Sequence, residues 1–162
     1  MKKRFIIFLF LIYFIPSMVF ALVTPSNLLY VTDEADILET ETEEFIVKYS
    51  DFLQQKKKIR YYVVTIPSLE NYELETYINY VTKNFSMGDK SVLIFFTKEE
   101  KTIQVVLGPD LSHIMKEEEI ENYIKEYSMP YFQNGEWDKG IKNGYTAFYK
   151  RICTYYRIDA SS

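Results

Sequence analysis

The chain has 162 residues, with 19 Lys or Arg, 23 Asp or Glu, one His, one Cys and a formal net charge of −4. Loss of Lys2, Lys3 and Arg4 with a leader would leave 16 basic residues and a charge of about −7, which argues against nucleic-acid or anionic-lipid binding. A single Cys excludes an internal disulfide and a single His excludes a two-His metal site, so the fold must stand on packing and any metal on oxygen ligands.

The chain opens with the basic run Lys2-Lys3-Arg4, an unbroken apolar stretch from Phe5 to Ile15, and Pro16-Ser17 before Val19-Phe20-Ala21. This three-part pattern predicts a signal peptide over 1–21, cleaved after Ala21, and a secreted or periplasmic product. The alternative is an uncleaved membrane anchor, because the apolar stretch reaches Val23 and approaches the roughly 20 residues a spanning helix needs. Pro16 and the small residue at Ala21 favour cleavage. The remaining 22–162, about 140 residues, suit one domain with a core over about 28–150.

Leu28 to Val31 reads as a short opening strand or extended arm ended by Thr32-Asp33-Glu34. Thr40 with Glu43 fits a capping box, and Phe45, Ile46, Tyr49, Phe52 and Leu53 recur at helical spacing before Lys56-Lys57-Lys58. Ile59 to Ile66 is rich in β-branched and aromatic residues and reads as a buried strand. A helix from about Glu73, with Leu74, Tyr77, Ile78, Val81 and Phe85 on one face, is expected to end at Gly88.

Ser91 to Thr97 is the next strand, joined to the preceding one by a right-handed parallel crossover. The polar Lys98-Glu99-Glu100-Lys101 then predicts a hairpin to Thr102–Leu107. After Gly108-Pro109, a helix from about Lys116 carries Ile120, Tyr123, Ile124 and Tyr127 and should break at Pro130. Asn134-Gly135 marks a turn, and a last helix carries Trp137, Ile141, Tyr145, Phe148 and Ile152. The fold class is therefore α/β, a three-layer α/β/α arrangement around a small mixed sheet with a Rossmann-like core. Aromatics make up 17% of the chain, and its 15 Tyr fit half-buried positions where a ring packs and a hydroxyl stays wet. Cys153 fits a small apolar position on the last helix better than a reactive thiol.

The common catalytic and cofactor motifs are missing: no P-loop, no G-x-G-x-x-G, no G-x-S-x-G, no H-E-x-x-H. His113, beside Ser112 and Asp110, is a lone candidate base, although a loop His is more often an ordinary surface residue. Loop carboxylates are the remaining chemical resource, and Asp33, Asp89 and Asp110 are the candidate metal ligands, with Ca²⁺ or another divalent cation as the ion. Asp89 precedes one strand of the hairpin and Asp110 follows the other, so these two share an end of the sheet. Asp33 falls nearer the opposite end unless the segment from Thr32 to Leu38 runs along the sheet edge. The bland alternative for each is a turn or cap aspartate bonded to nearby backbone.

Several segments in order resemble the TPM-domain family, which includes thylakoid-lumen repair proteins and bacterial exported proteins. They are Val31-Thr32-Asp33-Glu34-Ala35-Asp36-Ile37-Leu38, Tyr62 to Leu69, Glu75-Thr76-Tyr77-Ile78-Asn79, Phe85 to Lys90, the apolar strand from Val92, the Gly108 that ends the strand after it, and Pro130 to Ile141. The resemblance implies an extracytoplasmic α/β/α domain, described in some relatives as an acid phosphatase or divalent-cation binder and in others as an assembly, repair or receptor-associated factor. It carries Asp33 and Asp89 over as the acidic positions. Two departures, the short Gly88-Asp89-Lys90-Ser91 loop without Asn-Gly and Gly108-Pro109-Asp110 without a second Gly, weigh against inherited catalysis.

The expected function is thus an exported interaction or accessory module for envelope or membrane proteins, with a weak divalent-cation site. The alternative is a metal-assisted acid phosphatase, a phosphomonoesterase in which the cation polarises a phosphoryl oxygen and Lys90 is the nearest basic group. No second apolar span follows Arg157, so cleavage of the leader is expected to release a free domain.

Overall fold

In the computed structural model of the chain, which describes residues 30–160, four strands form one sheet in the order β1-β2-β3-β4. They are β1 (Val31–Asp33), β2 (Arg60–Ile66), β3 (Ser91–Thr97) and β4 (Thr102–Leu107). The leader and its cleavage site after Ala21 lie outside the described residues. β1, β2 and β3 run parallel, and β4 returns antiparallel along β3, as the hairpin signal predicts. Because β2 and β3 are covered on both faces, they read as continuous apolar runs rather than as alternating ones.

The helices are α1 (Thr40–Lys57), α2 (Leu74–Asn84), α3 (Glu117–Tyr123), α4 (Met129–Phe132) and α5 (Trp137–Tyr156). Successive strand residues point to opposite faces, and this parity sorts the core into two layers. On one face Tyr61, Val63, Ile94 and Phe96 meet Ile46 and Leu53 of α1 and Ile141, Tyr145 and Phe148 of α5. On the other, Tyr62, Val64, Leu93 and Phe95 meet Tyr77, Ile78 and Val81 of α2. This is the expected α/β/α arrangement. The crossovers β1-α1-β2 and β2-α2-β3 advance in the same direction across the sheet with their helices on opposite faces, so they have opposite hands. One of them therefore departs from the right-handed rule.

A compact network links Ser50, Tyr61 and Tyr145 inside the α1/α5 layer. The Ser50 hydroxyl donates to the Tyr61 carbonyl at 2.7 Å and pairs with the Tyr145 hydroxyl at 2.8 Å. Tyr145 Oη lies 3.2 Å from the Ile46 carbonyl, and the Tyr61 and Tyr145 rings stack with centroids 4.3 Å apart. Burial pushes both phenols well above their ordinary range, so they remain donors at any physiological pH.

The local signals differ from the structure in three places. Thr40 and Glu43 form no capping box; Glu39 is the N-cap of α1, and its N–H donates 2.9 Å to Asp138 Oδ1 from α5 while Thr42 Oγ1 donates to Oδ2. Helix α2 ends at Asn84, before Gly88, because Ser86 takes a left-handed φ of 48°. Pro130 does not stop the helical run. It occupies the first turn of α4, and since it has no N–H for the carbonyl four residues back, the preceding Ile124–Ser128 widens into a π turn.

Ser128, at the end of that π turn, has a buried hydroxyl without a partner among the described residues, and a Cβ placed on Gly144 of α5 would collide with this oxygen first. Ser128→Ala is expected to stabilise the domain by up to about 1 kcal/mol by removing an unsatisfied group. Gly144→Ala should destabilise the parent but stabilise the Ser128→Ala background, where the clash is gone and about 1 kcal/mol of helix propensity is recovered. Urea denaturation of the four proteins checks this, and additive effects would contradict it.

Candidate functional site

Asp33 ends β1 in register with Thr65 and, across β2, with Phe96 near the C-terminal end of β3. Its carboxylate is occupied. One oxygen accepts the Thr65 hydroxyl, and the other accepts the N–H groups of Ile37 at 3.0 Å and Leu38 at 2.8 Å. These bonds fold the β1–α1 connection into a tight loop in which Asp36 takes a φ of 49°, and Lys98 Nζ closes it by donating to the Ala35 carbonyl at 3.2 Å. The aspartate works here as a turn-forming acceptor.

Asp89 and Asp110 stand at the other end of the sheet, as the hairpin requires. The Asp110 N–H donates to the Asp89 carbonyl at 3.1 Å, and the Gly108 N–H donates to Ser91 at 2.7 Å, so backbone ties hold this rim together. Both aspartates are exposed, as is Lys90. Asp89 precedes the first residue of β3, and at about 3.3 Å per strand residue it lies roughly 20 Å from the level of Asp33. The structure therefore brings Asp89 and Asp110 together and leaves Asp33 apart, so no one cation is shared by all three. Among the described residues no group of three or more His, Cys, Asp or Glu is placed to hold a metal ion.

His113 is exposed against the Tyr155 ring, with centroids 5.1 Å apart. The neighbouring Ser112 hydroxyl donates to the Pro109 carbonyl at 2.8 Å rather than to the imidazole. Cys153 is buried, and burial pushes its thiol up, which fits the packing reading.

Near Asp33, burial and, secondarily, the charge of Asp33 raise the Glu43 carboxyl above its ordinary value. The folded state then holds this proton more tightly than the unfolded chain, so the contribution of Glu43 to stability falls as pH rises from the ordinary carboxylate range through its raised folded value. Glu43→Gln is expected to raise Tm at neutral pH and to leave it unchanged in acid that protonates Glu43 in both states. An equal change at both pH values would contradict this assignment.

The open surface lies along β4. The Ser91–Gly108 bond sets the phase of the antiparallel ladder, so Leu93–Val106 and Phe95–Gln104 are also bonded pairs. The N–H and C=O groups of Ile103, Val105 and Leu107 consequently point away from β3, and among the described residues β4 has no second neighbour. Two concavities flank this edge. One of about 700 Å³ runs between β4 and α3, with Met115, Ile120, Ile124 and Met129 along its wall. The other, of about 290 Å³, lies on the opposite sheet face between β4 and Leu74, Glu75 and Ile78 of α2. The alternation Ile103, Val105, Leu107 was legible as a strand face, but nothing in the sequence marks it as the side left open.

A sheet of this order, layered between α2 and the α1/α5 pair, with an open antiparallel edge, defines a class of small α/β/α domains. The TPM domain model matches residues 31–151, and the chain belongs to that family. Its fold is similar to the solution structure of the N-terminal domain of a protein from P. gingivalis, at 20% identity over 79% of this chain and 84% of that one, with a TM-score of 0.74. It is also similar to the N-terminal domain of the cg2496 protein of Corynebacterium glutamicum (13% identity, 82% and 81% covered, TM-score 0.58). The BA42 protein of the psychrophilic bacterium Bizionia argentinensis is a further neighbour (16% identity, 74% and 84% covered, TM-score 0.60). No curated protein sequence matches.

Proposed function

We propose that this protein is an exported TPM domain, secreted or periplasmic, that acts as an interaction or accessory module for envelope or membrane proteins. The observation that carries this reading is the groove of about 700 Å³ beside β4, which joins aliphatic side chains to unpaired backbone, as a protein-binding surface requires. Among the described residues no helix is long and apolar enough to cross a membrane. A photo-crosslinking residue at Gln104, on the open edge, should form discrete adducts with envelope proteins in the native cells. The same residue at Asp36, beside β1 at the opposite edge of the sheet, should form none. Absence of adducts from Gln104 would count against a module working through this face.

The exported product is expected to begin at Leu22, which N-terminal sequencing checks; full-length chain recovered only in membranes would establish the anchor instead. A weak divalent-cation site at the Asp89 rim belongs to the same reading. Calcium should raise Tm slightly, through affinity for the folded state alone, and Asp89→Ala should remove the rise. The second reading, a metal-assisted phosphomonoesterase, is favoured by the juxtaposition of Asp89, Lys90 and Asp110 on one rim.

A further inference from the structure

We propose that the cleft between α5 and the α3–π segment binds an acidic sugar, a ring of hydroxyl groups that carries a carboxylate. This goes beyond the interaction-module reading and does not rest on it, because the cleft shares no lining residue with the groove beside β4.

The cleft has a volume of about 530 Å³, within the range of small-ligand sites. One wall holds Tyr123 and Tyr127, both half-buried, with ring centroids 5.4 Å apart. The other is a face of α5 on which Asn143, Thr146, Lys150 and Thr154 follow at steps of three and four. Both walls are helical and recognition falls to side chains, so an extended peptide finds no backbone ladder to join. The hydrogens of the α5 wall are largely spent. The Thr146 and Thr154 hydroxyls donate to the carbonyls of Lys142 at 2.7 Å and Lys150 at 2.8 Å, and Asn143 Nδ2 donates to the Lys139 carbonyl at 2.8 Å. These side chains therefore meet a ligand chiefly as acceptors, through the two Thr oxygens and the Asn143 amide oxygen. A bare anion has no hydrogen to give them, whereas a sugar has several. A sugar ring also has a flat C–H face, which packs on a Tyr ring while its hydroxyls reach the polar wall.

The charges of the lining are Lys150 and Arg151 against Glu119. Glu119 is already engaged: one oxygen accepts the Lys116 N–H at 2.9 Å, and the other lies 3.9 Å from Arg151 Nη2. Arg151 in turn donates to the Ile114 carbonyl at 2.7 Å. Lys150 is exposed and has no ion-pair partner among the described residues, so its ammonium is the charge left for a ligand. One free cation matches the single charge of a carboxylate better than the nearly doubled charge of a phosphate monoester.

The test is titration of the isotopically labelled protein with trigalacturonate, with maltotriose as the neutral counterpart and acetate at the same carboxylate concentration. Trigalacturonate should shift the amides of Tyr123, Tyr127, Asn143 and Lys150 and bind about tenfold more tightly than maltotriose, the order of effect of one charge-assisted bond. Lys150→Gln, an exposed change that leaves the core intact, should remove that difference. Tyr127→Ala should weaken both sugars, and an unchanged Tm would show that the fold is kept. Monogalacturonate separates the two sources of such a ligand. If it binds as tightly as the trimer, the site takes a free sugar acid, and if the trimer binds more tightly, it takes an acidic polysaccharide; either result upholds the proposal. Acetate binding as tightly as trigalacturonate would overturn the sugar, and equal binding of trigalacturonate and maltotriose would overturn the acid. Shifts centred away from the cleft, or none, would overturn the site. The Gln104 adducts are read separately, so failure here leaves the module reading standing.

Discussion

Tyr145→Ala is expected to destabilise the domain by about 3–5 kcal/mol, the cost of emptying a large buried aromatic site. The ring is fully buried and stacked on Tyr61, and its hydroxyl ties Ser50 and Ile46 of α1 to α5. Alanine would open a cavity between α5 and the sheet and leave the Ile46 carbonyl without that donor. Tyr145→Phe keeps the ring and loses only the hydroxyl, so it should cost about 1–2 kcal/mol. Urea denaturation of both variants checks the order. Equal losses would mean that the hydrogen bonds dominate, and a loss below about 1 kcal/mol for alanine would mean that the α1/α5 layer is not the principal core.

Gly108→Ala is expected to cost about 2–4 kcal/mol although the site is at the surface, combining overpacking with the loss of backbone bonds. The residue has an ordinary φ of −61°, so conformational freedom is not the reason for glycine here. Its Cα lies against the Asp89 backbone: an added Cβ would collide with the Asp89 carbonyl oxygen and sit 2.8 Å from the carbonyl carbon. The end of β4 would have to move, breaking the Gly108–Ser91 and Asp110–Asp89 ties that bring the two aspartates to one rim. Denaturation should show the loss, and amide exchange should show faster opening at Gly108 and Asp110. A change within about 0.5 kcal/mol would show that the rim yields freely.

The sheet was legible because its strands are buried on both faces. Runs such as Tyr61 to Ile66 and Val92 to Phe96 leave little alternative to central strands, and the four polar residues between β3 and β4 leave no room for a helix. The placement of Asp89 and Asp110 together followed from hairpin geometry, and the separation of Asp33 from its place before the first helix. What the sequence concealed depends on long-range partners. Asp138 reaches the start of α1 across 99 residues, so the local Thr40/Glu43 pattern pointed to a box that the folded chain does not use. Ser86 in a left-handed turn ended α2 where Gly88 was the obvious candidate. The open edge was hidden for the same reason: whether a strand has one neighbour or two is set by the whole sheet and not by the strand's own residues.

The claim that this domain binds through its edge and does not work as a phosphatase at its Asp89 rim is tested most directly by hydrolysis of a generic phosphomonoester. The purified protein and Asp89→Ala would be assayed with added divalent cation and with chelator. Turnover no greater than that of a mock preparation is expected in all four conditions, because Asp89 and Asp110 stand exposed on an open rim, the Arg60 guanidinium beside them is turned to the Ser86 carbonyl, and the Asp33 carboxylate is held in its turn roughly 20 Å away. Metal-dependent turnover that chelator removes and Asp89→Ala abolishes, in a variant that remains folded, would contradict the account and make the rim an active site.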